Sequence, residues 1–335
     1  VKPAPFEYHA PASAKEAVEL LAELGDDAKL IAGGQSLIPL LALRLAAFEH
    51  LIDLRKVAGL RGIESRDGAL RDGAQSDAAG LGGAVSGGAV WIGAGTTEAA
   101  IGRSALVAAK VPLLGRATPL IGHFQIRNRG TLGGSLAHAD AAAEYPAVAL
   151  ALDAVIETLS PRDQRAIPAA EFFTGIWSTA LEPDELLTGV TFRVPAGRAG
   201  FAIEEFSRRP GDFAVAGTAI AIELDSNGGA AEASGTGPDA SSARVRRCAI
   251  GLFGLGTTPL RASAAEAAVV GEPAGEVSAD AFAREIGQAA MADLDSVPSD
   301  LHGPAAYRKR VGAALVARAL RRAISEALGE EAVGG

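Results

Sequence analysis

The chain has 335 residues, 48% of them hydrophobic, and a mean hydropathy of +0.20, which suits two domains, or one with an appendage, around packed cores. Its 31 Lys and Arg against 40 Asp and Glu leave a net charge of −9, so no basic stripe is available for a nucleic-acid backbone or an anionic membrane surface. The single cysteine, Cys248, excludes an internal disulfide, an iron–sulfur cluster and a structural zinc site built by this chain alone, and it points to a reducing cytoplasm. No stretch reaches the roughly 18 uninterrupted apolar residues of a membrane span, and no export signal is expected from the opening residues.

The first periodic segment runs from Ser13 to Leu24, where Ala14, Ala17, Val18, Leu20, Leu21 and Leu24 fall on one helical stripe. Ser13 with Glu16 three positions on predicts a capping box. The run Lys29-Leu30-Ile31-Ala32 reads as a strand, Gly33-Gly34-Gln35-Ser36 as a glycine elbow, and Leu37 to Leu45 as a helix with Pro39 in its first turn. Leu51 to Leu54 reads as a buried strand, and Leu60–Glu64 with Ala89–Gly93 as a strand pair. Two glycine-rich insertions, 73–88 and 226–243, carry little that buries, and they are expected to be mobile loops.

Helical character returns from Thr97 to Ile121, and a second glycine cluster follows in Thr131-Leu132-Gly133-Gly134-Ser135, before a helix opening at Glu144. Val155–Leu159 and Ala166–Pro168 resemble a hairpin. Beyond Pro183 the pattern changes to strands, 186–194, 201–207, 214–224 and 245–255, then two helices, 279–292 and 305–328, so a boundary is expected near residue 180.

An elbow between a strand and a helix leaves backbone N–H groups unpaired, and these hold a diphosphate when no Cβ blocks its approach. The competing reading of Gly33–Ser36 is a tight turn capped by Ser36. The segment has neither the lysine of a P-loop nor a GxGxxG turn. A second elbow at 131–135 makes a clamp on a long diphosphate ligand an open alternative to two ordinary loops. His138 reads as a surface or supporting group, no His/Asp/Glu spacing suits a metal, and no nucleophile triad assembles.

These residues carry a family resemblance. Pro5-Phe6-Glu7-Tyr8, the run from Ala32 to Pro39, Leu51-Ile52-Asp53-Leu54, the run from Gln125 to Asp140, Gly211-Asp212-Phe213-Ala214 and Gly303–Arg308 occur in order along the chain. Together they resemble the FAD-binding medium subunit of the xanthine dehydrogenase and carbon monoxide dehydrogenase family of molybdenum hydroxylases. The resemblance implies an α+β chain. It has a vanillyl alcohol oxidase-type FAD-binding fold of two α/β subdomains, 1–56 and 57–180, and a C-terminal domain, 181–330, of antiparallel sheet with helices.

By position, the resemblance implies that Lys29, Leu30, Ile31, Ala32, Gly33, Gly34, Gln35, Ser36 and Leu37 wrap the FAD pyrophosphate, with Thr131, Gly133, Gly134 and Ser135 on its other side. Ile121 and Gly122 match positions beside the isoalloxazine. Glu144 matches an acid near the ribose or adenine, with Asp140 counted among the cofactor-binding positions. Leu187 and Phe213 match apolar positions on the cofactor, although core packing accounts equally well for Phe213. Gln35 and Ser135 stand where some carbon monoxide enzymes have histidine and asparagine, which points away from that substrate.

The function implied is electron transfer by FAD in a heterotrimer, with molybdopterin on a large subunit, [2Fe–2S] clusters on a small subunit, and an external acceptor; a dimer of such heterotrimers is among the expected assemblies. The hydroxylated compound is expected to be an N-heterocycle, an alkaloid-like compound, a purine or an aldehyde. The alternatives are a self-sufficient FAD-dependent oxidase or reductase and a non-enzymatic bridging scaffold.

Overall fold

A computed structural model of the chain describes residues 2–66, 88–225 and 243–330. The insertions expected to be mobile therefore lie outside the described residues, apart from Gly88 and Ala243. Among the described residues no helix is long and apolar enough to cross a membrane.

The chain begins with a three-stranded parallel sheet in the order Glu7–His9, His50–Asp53, Ala28–Ile31. Helix Ala14–Leu24 covers it through Ala17, Val18 and Leu21, and its start is fixed as the sequence predicts: the Ser13 hydroxyl accepts from the Glu16 amide. The Glu16 carboxylate reaches back to the amide of Ala12, one residue earlier than in a strict capping box. The helix after the first elbow is shorter than the apolar run suggests, Leu37–Ala42, with Leu43 and Leu45 exposed.

The second sheet has five strands, all antiparallel, in the order Ile63–Arg66, Ala89–Gly93, Leu186–Arg193, Val155–Leu159, Gln164–Pro168. Both expected strand pairs are present. The boundary near residue 180 differs from the folded arrangement, because Leu186–Arg193 belongs to this sheet and not to the C-terminal one. Its alternation and burial look like those of the strands that follow, but it is hydrogen-bonded between Ala89–Gly93 and Val155–Leu159. Division by sheets falls after Arg193.

The third sheet is a meander of Ala199–Phe206, Ala216–Leu224, Val245–Phe253 and Leu260–Arg261, packed against helix Ala305–Leu328, which in turn carries helix Asp280–Ala292. With so few aromatic residues, this core is closed by small side chains that let backbones meet. An ideal Cβ on Gly200 would lie 1.8 Å from the carbonyl oxygen of Ala323 in the long helix, and one on Gly287 would lie 2.2 Å from that of Ala313. The contacts replace side-chain volume with direct backbone packing.

The second and third sheets are joined by helix Glu144–Ala151, whose eight residues are all buried. Its last carbonyls are satisfied from the third sheet: Arg261 donates to Leu150 at 2.8 Å and Arg247 to Ala151 at 2.8 Å, and both guanidinium groups pair with Asp153. Arg308 in the long helix is buried and donates to the carbonyls of Val215 and Gly254 while holding both carboxylate oxygens of Asp300 at 2.8 Å.

Cys248 is buried within Val245–Phe253, and burial pushes its thiol up to about 12. The folded chain should therefore resist alkylation near neutral pH and consume one equivalent of thiol reagent only after unfolding in guanidinium. Rapid native-state labelling, read by mass spectrometry, would place this strand differently.

Candidate functional site

The first elbow starts where strand Ala28–Ile31 leaves its sheet. Gly34 has φ +74, a left-handed conformation that favours glycine, and the Gln35 side-chain amide donates to the Gly33 carbonyl at 3.0 Å. The turn closes with the Ile38 amide on the Gly34 carbonyl at 3.1 Å. Among the described residues the amides of Gly34, Gln35 and Ser36 meet no acceptor, and the Ser36 hydroxyl does not cap the following helix. The capped-turn reading of Ser36 is thus replaced by an elbow with free donors.

The two elbows touch. An ideal Cβ on Gly33 would fall 2.2 Å from the carbonyl oxygen of Arg129 and 2.8 Å from the Cα of Gly130. One on Gly134 would lie 3.6 Å from the Ala32 Cβ. Segments about a hundred residues apart are brought together here by backbone contact.

The second elbow is built differently from the first. Thr131 accepts from the Gly134 amide at 3.1 Å, the Gly133 amide donates to Ala94 at 2.8 Å, the Leu132 amide to Thr96 at 3.1 Å, and the Ser135 amide to Thr131 at 3.0 Å. Its amides are spent on holding helix Leu132–His138 against the end of strand Ala89–Gly93. An ideal Cβ on Gly133 would come within 2.6 Å of the Ala94 Cβ, so this glycine serves close packing. Gly134 and the half-buried Ser135 are the less buried members of the segment.

Lys29 is exposed, with its ammonium 5.8 Å from the centre of the Phe48 ring. Leu30 packs against the first core, Ile31 and Leu37 are half-buried, and Ala32 lies beside the second elbow. His138 stacks on Trp177 with centroids 6.3 Å apart; burial lowers its pKa, with Asp140 opposing the shift and Lys29 adding to it.

Ile121 and Gly122 form a bend with φ +44 at Gly122, and both carbonyls accept from Arg127 at 2.7 Å. Beside the bend is an open hollow of about 450 Å³, whose far wall is Pro210 and Gly211. Phe213, two residues on, is 67% exposed, which removes the core-packing reading. Leu187 lies instead inside the core of the second sheet, at a bulge between Leu187 and Gly189.

Asp140 accepts from the Ala142 amide at 2.8 Å in a local turn, and Glu144 opens the buried helix behind it. Burial pushes Glu144 up to about 8, aided by the charges of Glu205, Glu98 and Asp140. Burial likewise raises Glu98 and Glu205 to about 7, and each has a buried Oε2 without a hydrogen-bond partner. Glu98 packs directly behind Gly130, where an ideal Cβ would be 2.5 Å from its Oε1. Sequence reasoning missed Glu98 and Glu205, since a lone acid in a helix start or a strand carries no local signal.

A dinucleotide diphosphate fits this arrangement. Three free amides supply donors, and the bare glycine backbones leave room for close approach. The sequence also showed no metal-ligand spacing, yet the folded chain brings Glu7, His9 and His50 together, with ligand atoms all within 4.8 Å. His50 is 41 residues from His9, so no local pattern announces the group.

Fold and site define a flavin-binding chain with a separate C-terminal sheet. Residues 4–85 and 82–196 match the FAD binding domain in molybdopterin dehydrogenase, and residues 201–323 match the CO dehydrogenase flavoprotein C-terminal domain. The chain belongs to this family of FAD-binding medium subunits of molybdenum hydroxylases. It is 37% identical to the 6-hydroxypseudooxynicotine dehydrogenase complex subunit alpha of Paenarthrobacter nicotinovorans, over 98% of this chain and 97% of that one. Among solved structures, carbon monoxide dehydrogenase from Hydrogenophaga pseudoflava matches with a TM-score of 0.83 and 36% identity, covering 97% of this chain and 99% of that chain. Quinoline 2-oxidoreductase from Pseudomonas putida 86 matches with a TM-score of 0.81 and 32% identity, covering 98% and 100%.

Glu144 has a folded pKa of about 8, above the roughly 4.3 of an unfolded glutamate, so the folded state keeps a proton that the unfolded chain releases. Its contribution to stability is full below the unfolded value and is lost as pH rises towards 8. Glu144→Gln should therefore gain in melting temperature over the wild-type FAD-free chain as pH rises from 5 to 8 on the order of the Glu144 titration. A constant difference across that range would refute the assignment.

Proposed function

We propose that this chain is the electron-transfer subunit of a heterotrimeric molybdenum hydroxylase in the cytoplasm. It takes electrons from [2Fe–2S] clusters on a small subunit and passes them to an external acceptor, while substrate is hydroxylated at a molybdopterin centre on a large subunit. The observation that carries this reading is the contact of Gly33 with Arg129 and Gly130, which sets three unpartnered amides beside the second elbow. Similarity at 37% to a chain from a protein named for 6-hydroxypseudooxynicotine supports a nitrogen-containing aromatic substrate, while relatives named for carbon monoxide at 36%, caffeine at 32% and glyceraldehyde at 30% keep carbon monoxide, a purine and an aldehyde in play.

Bound FAD supplies a store for two electrons that fills and empties one or two at a time. In this reading the amides of Gly34, Gln35 and Ser36 donate to the diphosphate oxygens, with Lys29 to Ile31 and Leu37 framing the turn. Thr131 and Gly133 hold the second elbow in place, and Gly134 and Ser135 form its ligand-facing side. Arg127 fixes the Ile121–Gly122 bend at which the ring system is read to lie, and the exposed Phe213 shields that ring from water. Glu144 and Asp140 lie towards the ribose and adenine end, and Leu187 supports the site from within the core. The first subdomain is read as 1–56, the second as extending through the strand that ends at Arg193, and the C-terminal domain as the remainder.

Gly33→Ala drives a Cβ into the Arg129 carbonyl, and overpacking of about 1–3 kcal/mol should weaken FAD retention by about tenfold or more. Flavin absorbance per chain after desalting measures it, and full retention would contradict the elbow assignment. Phe213→Ala should leave stability within about 0.5 kcal/mol, because the side chain is exposed, but move the flavin midpoint potential. An unchanged redox titration would remove Phe213 from the site. Purification of the native chain tests the wider reading: two partners carrying molybdopterin and [2Fe–2S] are expected, and turnover of an organic substrate by this chain alone would instead mark a self-sufficient flavoenzyme.

A further inference from the structure

We propose that Glu7, His9 and His50 form a site for one divalent transition-metal ion of the zinc class, on the edge of the small parallel sheet away from the elbow strand. Strand Glu7–His9 is the edge strand, and its neighbour His50–Asp53 is the centre of the sheet. The parallel register sets Glu7 opposite His50 and Tyr8 opposite Leu51. Alternation along a strand puts Glu7 and His9 on one face. Tyr8, on the other, donates its hydroxyl to Asp53 at 2.5 Å and takes no part.

On the shared face the His9 Nε2 and His50 Nδ1 atoms are 3.1 Å apart, and a Glu7 carboxylate oxygen lies 3.6 Å from the same His50 nitrogen. Two ligands held about 2.0–2.2 Å from a tetrahedral ion are separated by roughly 3.3–3.6 Å. The two separations at His50 lie close to that edge length, and Glu7 and His9 are within 4.8 Å of each other, so an ion fits once the exposed Glu7 carboxylate swings in towards His9. The ring planes are tilted by 47°, which separates the two imidazoles in direction rather than stacking them.

A single hydrogen bond between the two rings accounts for one of these contacts only and leaves the carboxylate outside it. A cation engages a lone pair from each ring and the carboxylate charge together. Two imidazoles with one carboxylate suit zinc and its neighbours in the first transition row, and they suit magnesium or calcium poorly. The His50 side chain is 20% exposed and that of Glu7 69% exposed, so the ion enters from the Glu7 side and retains water at its open position. Its effect is to staple a three-residue edge strand to the strand that also carries the elbow-bearing neighbour.

The test uses the full chain loaded with FAD, stripped of metal by a chelator and dialysed against Zn²⁺. One equivalent of zinc per chain is expected. His9→Gln and His50→Gln should each weaken binding by about tenfold or more, with a smaller loss for Glu7→Gln, and flavin content reports whether each variant is folded. Unaltered protein supplies a second measurement: Zn²⁺ should protect His9 and His50, but not the exposed His123 and His302, from a histidine-acylating reagent read by mass spectrometry. No zinc uptake, equal uptake by the wild type and the His9→Gln/His50→Gln double variant, or acylation of His9 and His50 unaffected by zinc would each overturn the site.

Discussion

The arrangement depends on one steric fact: Gly33 and the Arg129–Gly130 peptide occupy adjoining space in which no side-chain carbon fits. The contact places a turn rich in free donors beside a helix start whose own donors are already engaged. The asymmetry has a physical logic. A segment whose amides are satisfied is rigid without ligand, and it serves as the wall against which a segment with unsatisfied amides is held. Preorganisation of this kind reduces the ordering cost of binding.

The wall is itself supported in depth. Glu98 sits behind Gly130, and its capping neighbour Thr97 pairs with Thr131, so the second elbow is tied to the end of a sheet strand on one side and to a buried carboxyl on the other. Glu144 opens the helix that then crosses to the C-terminal sheet, where Arg247 and Arg261 satisfy its final carbonyls. The C-terminal domain is thus fastened to the buried helix that Glu144 opens. In that domain the long helix settles on the strand at Gly200, an economy of volume that an alanine- and glycine-rich chain achieves through backbone contact.

Both elbows were legible in the sequence because a glycine pair with a serine close behind marks a tight turn locally, although the groups those glycines approach, Arg129 for Gly33 and Ala94 for Gly133, are distant in sequence. Most strands and the paired hairpins were legible too, since alternation is local. The strand Leu186–Arg193 was assigned to the wrong neighbourhood because a strand's partners are not written in its own residues. The unequal use of amides at the two elbows depends on Ala94 and Thr96, distant in sequence from the segment they satisfy. The acids at 98, 144 and 205 acquire their raised pKa values only when the fold removes water from around them. Phe213 is the opposite case: its hydrophobicity alone left core packing and a place on the cofactor equally open, and its exposure became visible only with the loop it occupies.

The position of Leu186–Arg193 also sets an order of events during synthesis. Before it emerges from the ribosome, the hairpin of Val155–Leu159 with Gln164–Pro168 and the pair formed by Ile63–Arg66 with Ala89–Gly93 have no strand between them. The helix that carries the second elbow packs against that same missing strand. A nascent chain stalled at residue 180 therefore holds every glycine of the cradle, with Ala94, Thr96 and Glu98 beside them, but lacks the central strand that joins the two halves of the second sheet and backs the second elbow's helix.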